Sequence, residues 1–388
     1  MSDTPGCGKA AGVIAIVLVM LMAIGAGPCL AANKAQTGER AGRGSQTPMR
    51  VAIAGLVHGH VFGFFHQYLH SPLIQIVGIE EPNHAFALRV AKQYGISTSL
   101  LYTNLDEMLA QTRPQAVLTY TDTYDHKMVV ETCARHHVDV MMEKPLAVSL
   151  ADARAMERAA EAGHIQVLVN YETTWYRSNR AAYNLLHEGA IGPLRKFVAR
   201  DGHSGPKEIG VGPEFLSWLT NPKLDGAGAL FDFGCYGADL VEWLLDNAQP
   251  LTVTAVTQHI KPEEYPHVDD EATIVVTYAK AQAIIEASWN WPFDVKDIQV
   301  YGRTGYVKTV ERERVLVRRK GERQAQEETA KAIPSPEDDE LAYLRAVVLD
   351  GRKPEGPSSL ATNVIVMEIL DAARESAETG RTIRIGGR

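Results

Sequence analysis

From residue 49 onward the spacing of apolar residues changes in a regular order. MRVAIAG (49–55) is a short apolar run closed by glycine, as a buried parallel strand would be. Beyond it, apolar residues fall at 61, 62, 64, 65, 68 and 69, the spacing of a helix laid on a sheet. IQIVGI (74–79) predicts a second strand, and HAFALRVAKQYG (84–95) a second helix stopped by Gly95. QAVLTYT (115–121) and VDVMME (138–143) predict a third and a fourth strand, with KMVVETCARHH (127–137) as the helix between them. Strands and helices alternating at this spacing predict βαβ units and a doubly wound parallel sheet.

After Pro145 the rhythm changes. A helix over about 149–162 and a strand, IQVLVNYE (165–172), precede a helix near 179–188 and a stretch, 200–228, dense in glycine and proline. TVTAVTQHI, EATIVVTY, AIIEASWNW, DIQVYG and YVKTVERERVLVRR then follow with no long helix between them, which predicts a mostly antiparallel sheet. Amphipathic helices at about 337–349 and 359–378 close the chain. The fold class is α/β. Residues 49–147 form a domain around the parallel sheet, and residues 148–388 form an α/β domain around an open, mostly antiparallel one.

The N-terminus is different. AAGVIAIVLVMLMAIGA (10–26) is uncharged, follows Lys9 and is broken by Gly27-Pro28, with small residues next to Cys29. This is the layout of a secretory signal peptide, and the run is also nearly long enough for a retained membrane anchor. Residues 1–32 are read as one or the other, and 33–48 as a flexible polar leader. Either reading makes the chain exported, periplasmic or membrane-anchored facing outward. Among the 388 residues 45% are apolar and 22% charged, ordinary globular usage. The formal net charge of −8 leaves no basic field for a nucleic acid. Four scattered cysteines make neither a disulfide scaffold nor a structural zinc cluster.

Candidate chemistry gathers at strand ends. GLVHGH (55–60) stands where the first strand meets the first helix, a junction whose free N–H groups suit a pyrophosphate. Gly55 and Gly59 supply close-approach positions, although Val57 stands where the middle glycine of G-x-G-x-x-G belongs. A tight turn without a nucleotide fits the same residues. Glu80 and Glu81, at the end of the second strand, are placed to bind ribose hydroxyls and to repel a 2′-phosphate, which favours NAD over NADP. Lys144, between Glu143 and Pro145, can donate a hydrogen bond to a substrate hydroxyl or shuttle a proton. Asp232, Tyr236 and Asp239, spaced by four and three, are predicted on one face of a helix. His58 and His60 lack helical ligand spacing, and the sequence fixes no third ligand for them, so no metal is expected. Cys133 and Cys235 read as buried thiols, and Asp269-Asp270-Glu271 as a solvated turn.

These motifs, in this order, resemble the glucose–fructose oxidoreductase, inositol dehydrogenase and rhizopine catabolism (Gfo/Idh/MocA) family. The resemblance runs from about Met49 to the end of the chain. It is carried by the first-strand loop, Glu81-Pro82, TDTYDH (121–126), EKPLA (143–147), Asp232-x-Gly234-x-Tyr236 and SAETG (376–380). It implies a Rossmann dinucleotide-binding domain, a substrate domain whose tail helices pack back near the first, and hydride transfer between nicotinamide and a sugar or polyol carbon. It implies Lys144, Tyr236 and Asp232 as catalytic residues, with Lys144 beside the nicotinamide. Gly55, His58, Gly59, His60, Glu81, Thr121, His126, Glu143 and Lys144 would hold the cofactor.

Trp175, Tyr176 and Trp289 offer aromatic faces for a sugar, and the loop over 200–215 offers His203 and Lys207. The segment 169–175 replaces a region that often carries an arginine, so a substrate-facing cation is expected to be missing. Homo-oligomerisation through the second sheet is a further expectation. An exported chain meets no free NAD, so two other readings stay open. One is a glycoside hydrolase or epimerase that recycles tightly held NAD. The other is an exported carbohydrate-binding protein without hydride chemistry.

Overall fold

The computed structural model describes residues 47–386. The predicted signal or anchor, 1–32, and residues 33–46 of the leader lie outside the described residues. The first layer is built from β1 (Met49–Ala54), α1 (His60–Tyr68), β2 (Ile74–Glu80), α2 (His84–Tyr94), β3 (Leu101–Tyr102), α3 (Leu105–Thr112), β4 (Ala116–Thr119), α4 (His126–Arg135), β5 (Asp139–Glu143), α5 (Leu150–Gly163) and β6 (Val167–Asn170). Its six strands are parallel, in the order β3-β2-β1-β4-β5-β6, the doubly wound arrangement. Central strand β4 is wholly buried, which is why it reads as a plain apolar run. Asn83 caps α2 by accepting from the Phe86 amide, and Gly95 ends that helix in the left-handed conformation.

This sheet does not stop at residue 147. β6 is its sixth strand, so the second predicted domain, 148–388, contributes a helix and a strand to the first layer. The rhythm broken at Pro145 is the turn leaving β5, and the βα alternation continues beyond it.

The remaining elements are α6 (Arg177–His187), β7 (Leu194–Gly202), the short helices α7 (Pro213–Leu219), α8 (Pro222–Asp225) and α9 (Ala229–Asp232), then α10 (Gly234–Leu244), β8 (Thr252–Gln258), β9 (Glu271–Thr277), β10 (Gln282–Ser288), β11 (Val295–Gly302), β12 (Tyr306–Thr309), β13 (Arg314–Arg318), β14 (Gln326–Thr329), α11 (Glu340–Asp350), α12 (Leu360–Thr379) and β15 (Ile383–Arg384). The second sheet has nine strands, in the order β14-β13-β12-β11-β7-β10-β9-β8-β15. Only β7 and β10 pair in parallel. Buried and less buried residues alternate along β9 and β10, so one face is core and the other faces outward.

α10 lies on the core face and every one of its residues is buried. Leu341, Tyr343, Leu344 and Val347 of α11 join the cluster under the first sheet, while α12 packs in the cluster that holds α10. Among the described residues no helix is long and apolar enough to cross a membrane.

The approach of α10 to the sheet depends on Gly237, where a Cβ would lie 2.6 Å from Ile285 and 2.9 Å from Ala199. In an exposed helix, replacing glycine by alanine gains about 1 kcal/mol. Here the added methyl overfills the core, so Gly237→Ala is expected to lower stability by about 1–3 kcal/mol, read as a lower urea midpoint.

Candidate active site

The first wall of the site is the turn after β1. Gly55 has φ +76°, and a Cβ there would stand 2.6 Å from the Thr121 methyl group and 2.7 Å from its amide nitrogen. Glycine is therefore required twice over, by conformation and by contact with the segment leaving β4. Glu81 braces this turn. Its Oε2 accepts from the Leu56 amide at 3.0 Å and its Oε1 from the Asn83 amide at 2.9 Å. Burial pushes its acid up, and the two amides pull the other way. Burial also raises its neighbour Glu80 to about 7, assisted by the charge of Glu81.

A cover lies over the turn. A Cβ on Gly59 would meet Phe215 of α7 at 2.8 Å. Trp218 Nε1 donates to the Val57 carbonyl at 3.3 Å, and the His58 ring centroid lies 4.6 Å from that of Phe215 and 5.4 Å from that of Trp218.

The second wall is a charge cluster. Lys144 closes β5 and is followed by a cis peptide to Pro145. Its ammonium donates to the Asp232 carboxylate and, at 3.0 Å, to the Asp232 carbonyl. Both residues are buried. Burial opposes the ammonium charge, but Asp232 outweighs it and holds Lys144 well above its ordinary value. Asp232 in turn stays ionised, since Lys144 overcomes the effect of its burial.

Lys296 of β11 lines the same cavity as Lys144. The two ammonium nitrogens lie 4.8 Å (Lys296) and 5.1 Å (Lys144) from the centroid of the Tyr236 ring. Glu172, paired with Lys296 and Arg312, is held at about 2 because these cations outweigh its burial. Burial pushes the Tyr236 phenol up to about 12, against the pull of both lysines. A cavity of about 350 Å³ runs from Val57 and His60 to Lys144, Tyr236 and Lys296, with His203 on its rim.

The arrangement can bind a dinucleotide. A glycine-permitted turn abuts a helix N-terminus and opens onto a cavity that ends at Lys144. Gly55, Gly59, His60 and Lys144 would hold it. The side chain of Val57 fills part of the space a middle glycine would leave.

Comparison with known proteins agrees. Residues 49–171 match the family model for the oxidoreductase family with an NAD-binding Rossmann fold, and residues 179–308 match the GFO/IDH/MocA C-terminal domain. The chain belongs to the Gfo/Idh/MocA family of oxidoreductases. It is similar to D-apiose dehydrogenase of Rhizobium rhizogenes, at 25% identity over 69% of this chain and 78% of that one. It also resembles 1,5-anhydro-D-fructose reductase of Ensifer adhaerens, at 28% over 43% of this chain and 47% of that one. In fold it is like the aldose-aldose oxidoreductase of Caulobacter crescentus, solved with glycerol (TM-score 0.74, 21% identity, 87% of this chain and 100% of that one). An inositol dehydrogenase homologue of Azotobacter vinelandii, solved with NAD+, has a TM-score of 0.75 at 19% identity, over 87% of this chain and 98% of that one.

Within this Gfo/Idh/MocA chain the predicted residues divide. Lys144, Asp232, Tyr236 and His203 come together, and Gly55, Gly59, His60 and Glu143 gather at the turn. His58 is buried under α7. His126 is buried, with Nδ1 3.2 Å from the Leu146 carbonyl, and burial lowers it to about 4.

Four expected sugar contacts are not at the cavity. Trp289 is fully buried and donates to Asp232 at 2.9 Å, so it supports the carboxylate instead of stacking on a ligand. Trp175 bonds Asn170 and lines a separate cavity of about 360 Å³ that shares no lining residue with the first. The Tyr176 hydroxyl donates to Glu172 beneath Arg312. Lys207 is exposed and pairs with Glu264. Asp232 and Tyr236 line the cavity, whereas Asp239 is fully buried and does not, with Asp232 ending α9 and Asp239 lying within α10. Where no cation was expected, Lys296 brings one to the cavity from a strand. Its signal was its place in DVKDIQV, where strand alternation turns it to one face.

Removing one member of the buried pair should be costly. Asp232→Asn leaves the Lys144 ammonium uncompensated, and a loss of about 3–5 kcal/mol is expected in denaturant unfolding. Adding Lys144→Met should restore most of it.

Proposed function

We propose that this chain is an NAD-linked oxidoreductase acting on a hydroxyl-bearing carbon of a sugar or polyol. The observation that carries the reading is Tyr236, with two ammonium groups within 5.1 Å of its ring centroid, on the wall of the cavity that opens onto the β1–α1 turn. Bound nicotinamide would supply the hydride acceptor or donor. Lys144 does not act as a base, because Asp232 keeps it charged. Two of its three N–H groups serve Asp232, which leaves one to donate to a substrate oxygen. Tyr236 carries the mobile proton. Near neutrality its phenol is protonated and donates to a carbonyl oxygen under reduction. For oxidation it must first lose that proton, which the two lysines favour. Lys296, anchored by Glu172, stabilises the phenolate and faces the same cavity. His203, edge-on to Phe233 with centroids 4.9 Å apart, is positioned to meet a substrate hydroxyl.

A second reading is favoured by α7. Phe215 and Trp218 close over the turn, as suits a cofactor that is retained and recycled within one active site. A glycoside hydrolase or epimerase that returns its hydride fits that cover, and it fits export through the 1–32 segment. Denaturing the purified protein and assaying the released nucleotide separates the readings. Retained NAD that sugars do not reduce in net terms, together with a released aglycone, favours recycling. Net formation of reduced nicotinamide favours the dehydrogenase. No bound NAD and no binding at any added concentration overturns both.

Tyr236→Phe is expected to lower kcat by about 10²–10⁴-fold. Sugar oxidation by the parent protein should rise with pH above neutrality as the phenol gives up its proton, and the variant should lose that alkaline rise. An unchanged profile in Tyr236→Phe would remove the tyrosine from the reaction.

A further inference from the structure

We propose that His58, His60 and Glu143 bind one divalent first-row transition ion at the mouth of the crevice. One ligand atom from each of the three lies within 4.8 Å of the other two. The set could not be read along the chain, because His58 lies in the turn before α1, His60 opens that helix, and the carboxylate ends β5. The order of the parallel sheet brings them together. His60 Nδ1 is 2.9 Å from Glu143 Oε2, and the two imidazoles meet edge to face with centroids 4.5 Å apart.

His58 separates this site from a simple ion pair. A His60–Glu143 pair accounts for two side chains and leaves the third without a firm bond. His58 is 1% exposed, its Nε2 is buried with no hydrogen-bond partner, and its Nδ1 meets only the His60 amide at 3.3 Å. A buried polar atom without a partner is destabilising, and a neutral imidazole nitrogen is a metal ligand. An ion shared by all three residues would give the buried His58 imidazole the firm partner it lacks.

Two nitrogens and one carboxylate oxygen suit Zn²⁺, Co²⁺, Mn²⁺ or Fe²⁺. All-oxygen ligand sets suit Mg²⁺ and Ca²⁺, and thiolates suit Cu⁺. Bonds of about 2.0–2.2 Å place tetrahedral ligand atoms roughly 3.4 Å apart. Closing the set therefore asks one side chain to move inward, and His60, half exposed at 48%, is free to do so. Three protein ligands leave positions open toward the cavity that His60 lines. The ion would turn this junction from net negative to net positive. The site goes beyond the proposed reaction but shares His60 with the crevice that reading gives to a dinucleotide, so its test is run without nucleotide.

The test uses the full chain, stripped with chelator and titrated with Co²⁺ or Zn²⁺ without nucleotide. One equivalent should remain bound after desalting, and the Co²⁺ form should show ligand-field bands in the visible. X-ray absorption of the Zn²⁺ form should show a nitrogen and oxygen shell with two imidazoles. His60→Ala and Glu143→Gln should each weaken binding more than about tenfold, a loss that even outer partners of metal ligands can cause. His136→Ala, which removes a histidine paired with Asp106, should leave binding unchanged. Should His60→Ala fail to fold, the near-isosteric Glu143→Gln and the absorption spectrum of the parent protein still decide. No retained ion, a shell without two imidazoles, or affinity unmoved by substitutions that fold would overturn the proposal.

Discussion

Lys144 and Asp232 bring opposite charges into the interior where the first sheet meets the second layer, and neither could be buried there alone. An isolated ammonium or carboxylate at such depth would lose several kcal/mol of hydration. Together they hold, because geometry supplies further bonds: the Asp232 carbonyl also receives the lysine, and Trp289 donates to the second carboxylate oxygen. The pair fixes the end of β5 against α9. From that fixed point α10 begins, and with it the position of Tyr236.

A second pair, Lys296 with Glu172, brings another ammonium to within 4.8 Å of the Tyr236 ring centroid. The two pairs differ in exposure. Lys144–Asp232 is nearly sealed, whereas the Glu172 and Lys296 side chains are about a third and a fifth exposed. The sealed pair is therefore structural as well as chemical, and the outer pair is better placed to follow what enters the cavity. Burial pushes the phenol up and the two lysines draw it back toward a range where it can exchange a proton.

Much of the fold was legible in the sequence. The parallel strands announce themselves because burial on both faces leaves few polar positions in β1 and β4, with Arg50 and Thr119 the exceptions. Strand β7 did not, since Arg195, Lys196 and Arg200 stand on its less buried positions and dilute the alternation. β3 is only two residues long. α7 hides in a stretch rich in glycine and proline, and with it the cover over Gly59. In the site, motif residues at strand and helix ends were readable because the sheet topology dictates where they converge. Aromatic residues were not. Trp175, Tyr176 and Trp289 have the same sequence appearance whether they face a ligand, a second cavity or the core, and tertiary packing alone decides among these. Lys296 and Glu143 acquire their partners only through contacts far apart in the chain.

The claim that Lys144 remains charged while Tyr236 carries the mobile proton can be met directly by NMR titration of the protein labelled at lysine side chains. Its Lys144 resonance, assigned with a Lys144→Met variant, should show no deprotonation through neutrality and well into the alkaline range. A lysine signal missing from that variant and losing its proton near neutrality would contradict the account, because the ammonium would then be the base and the phenol a bystander.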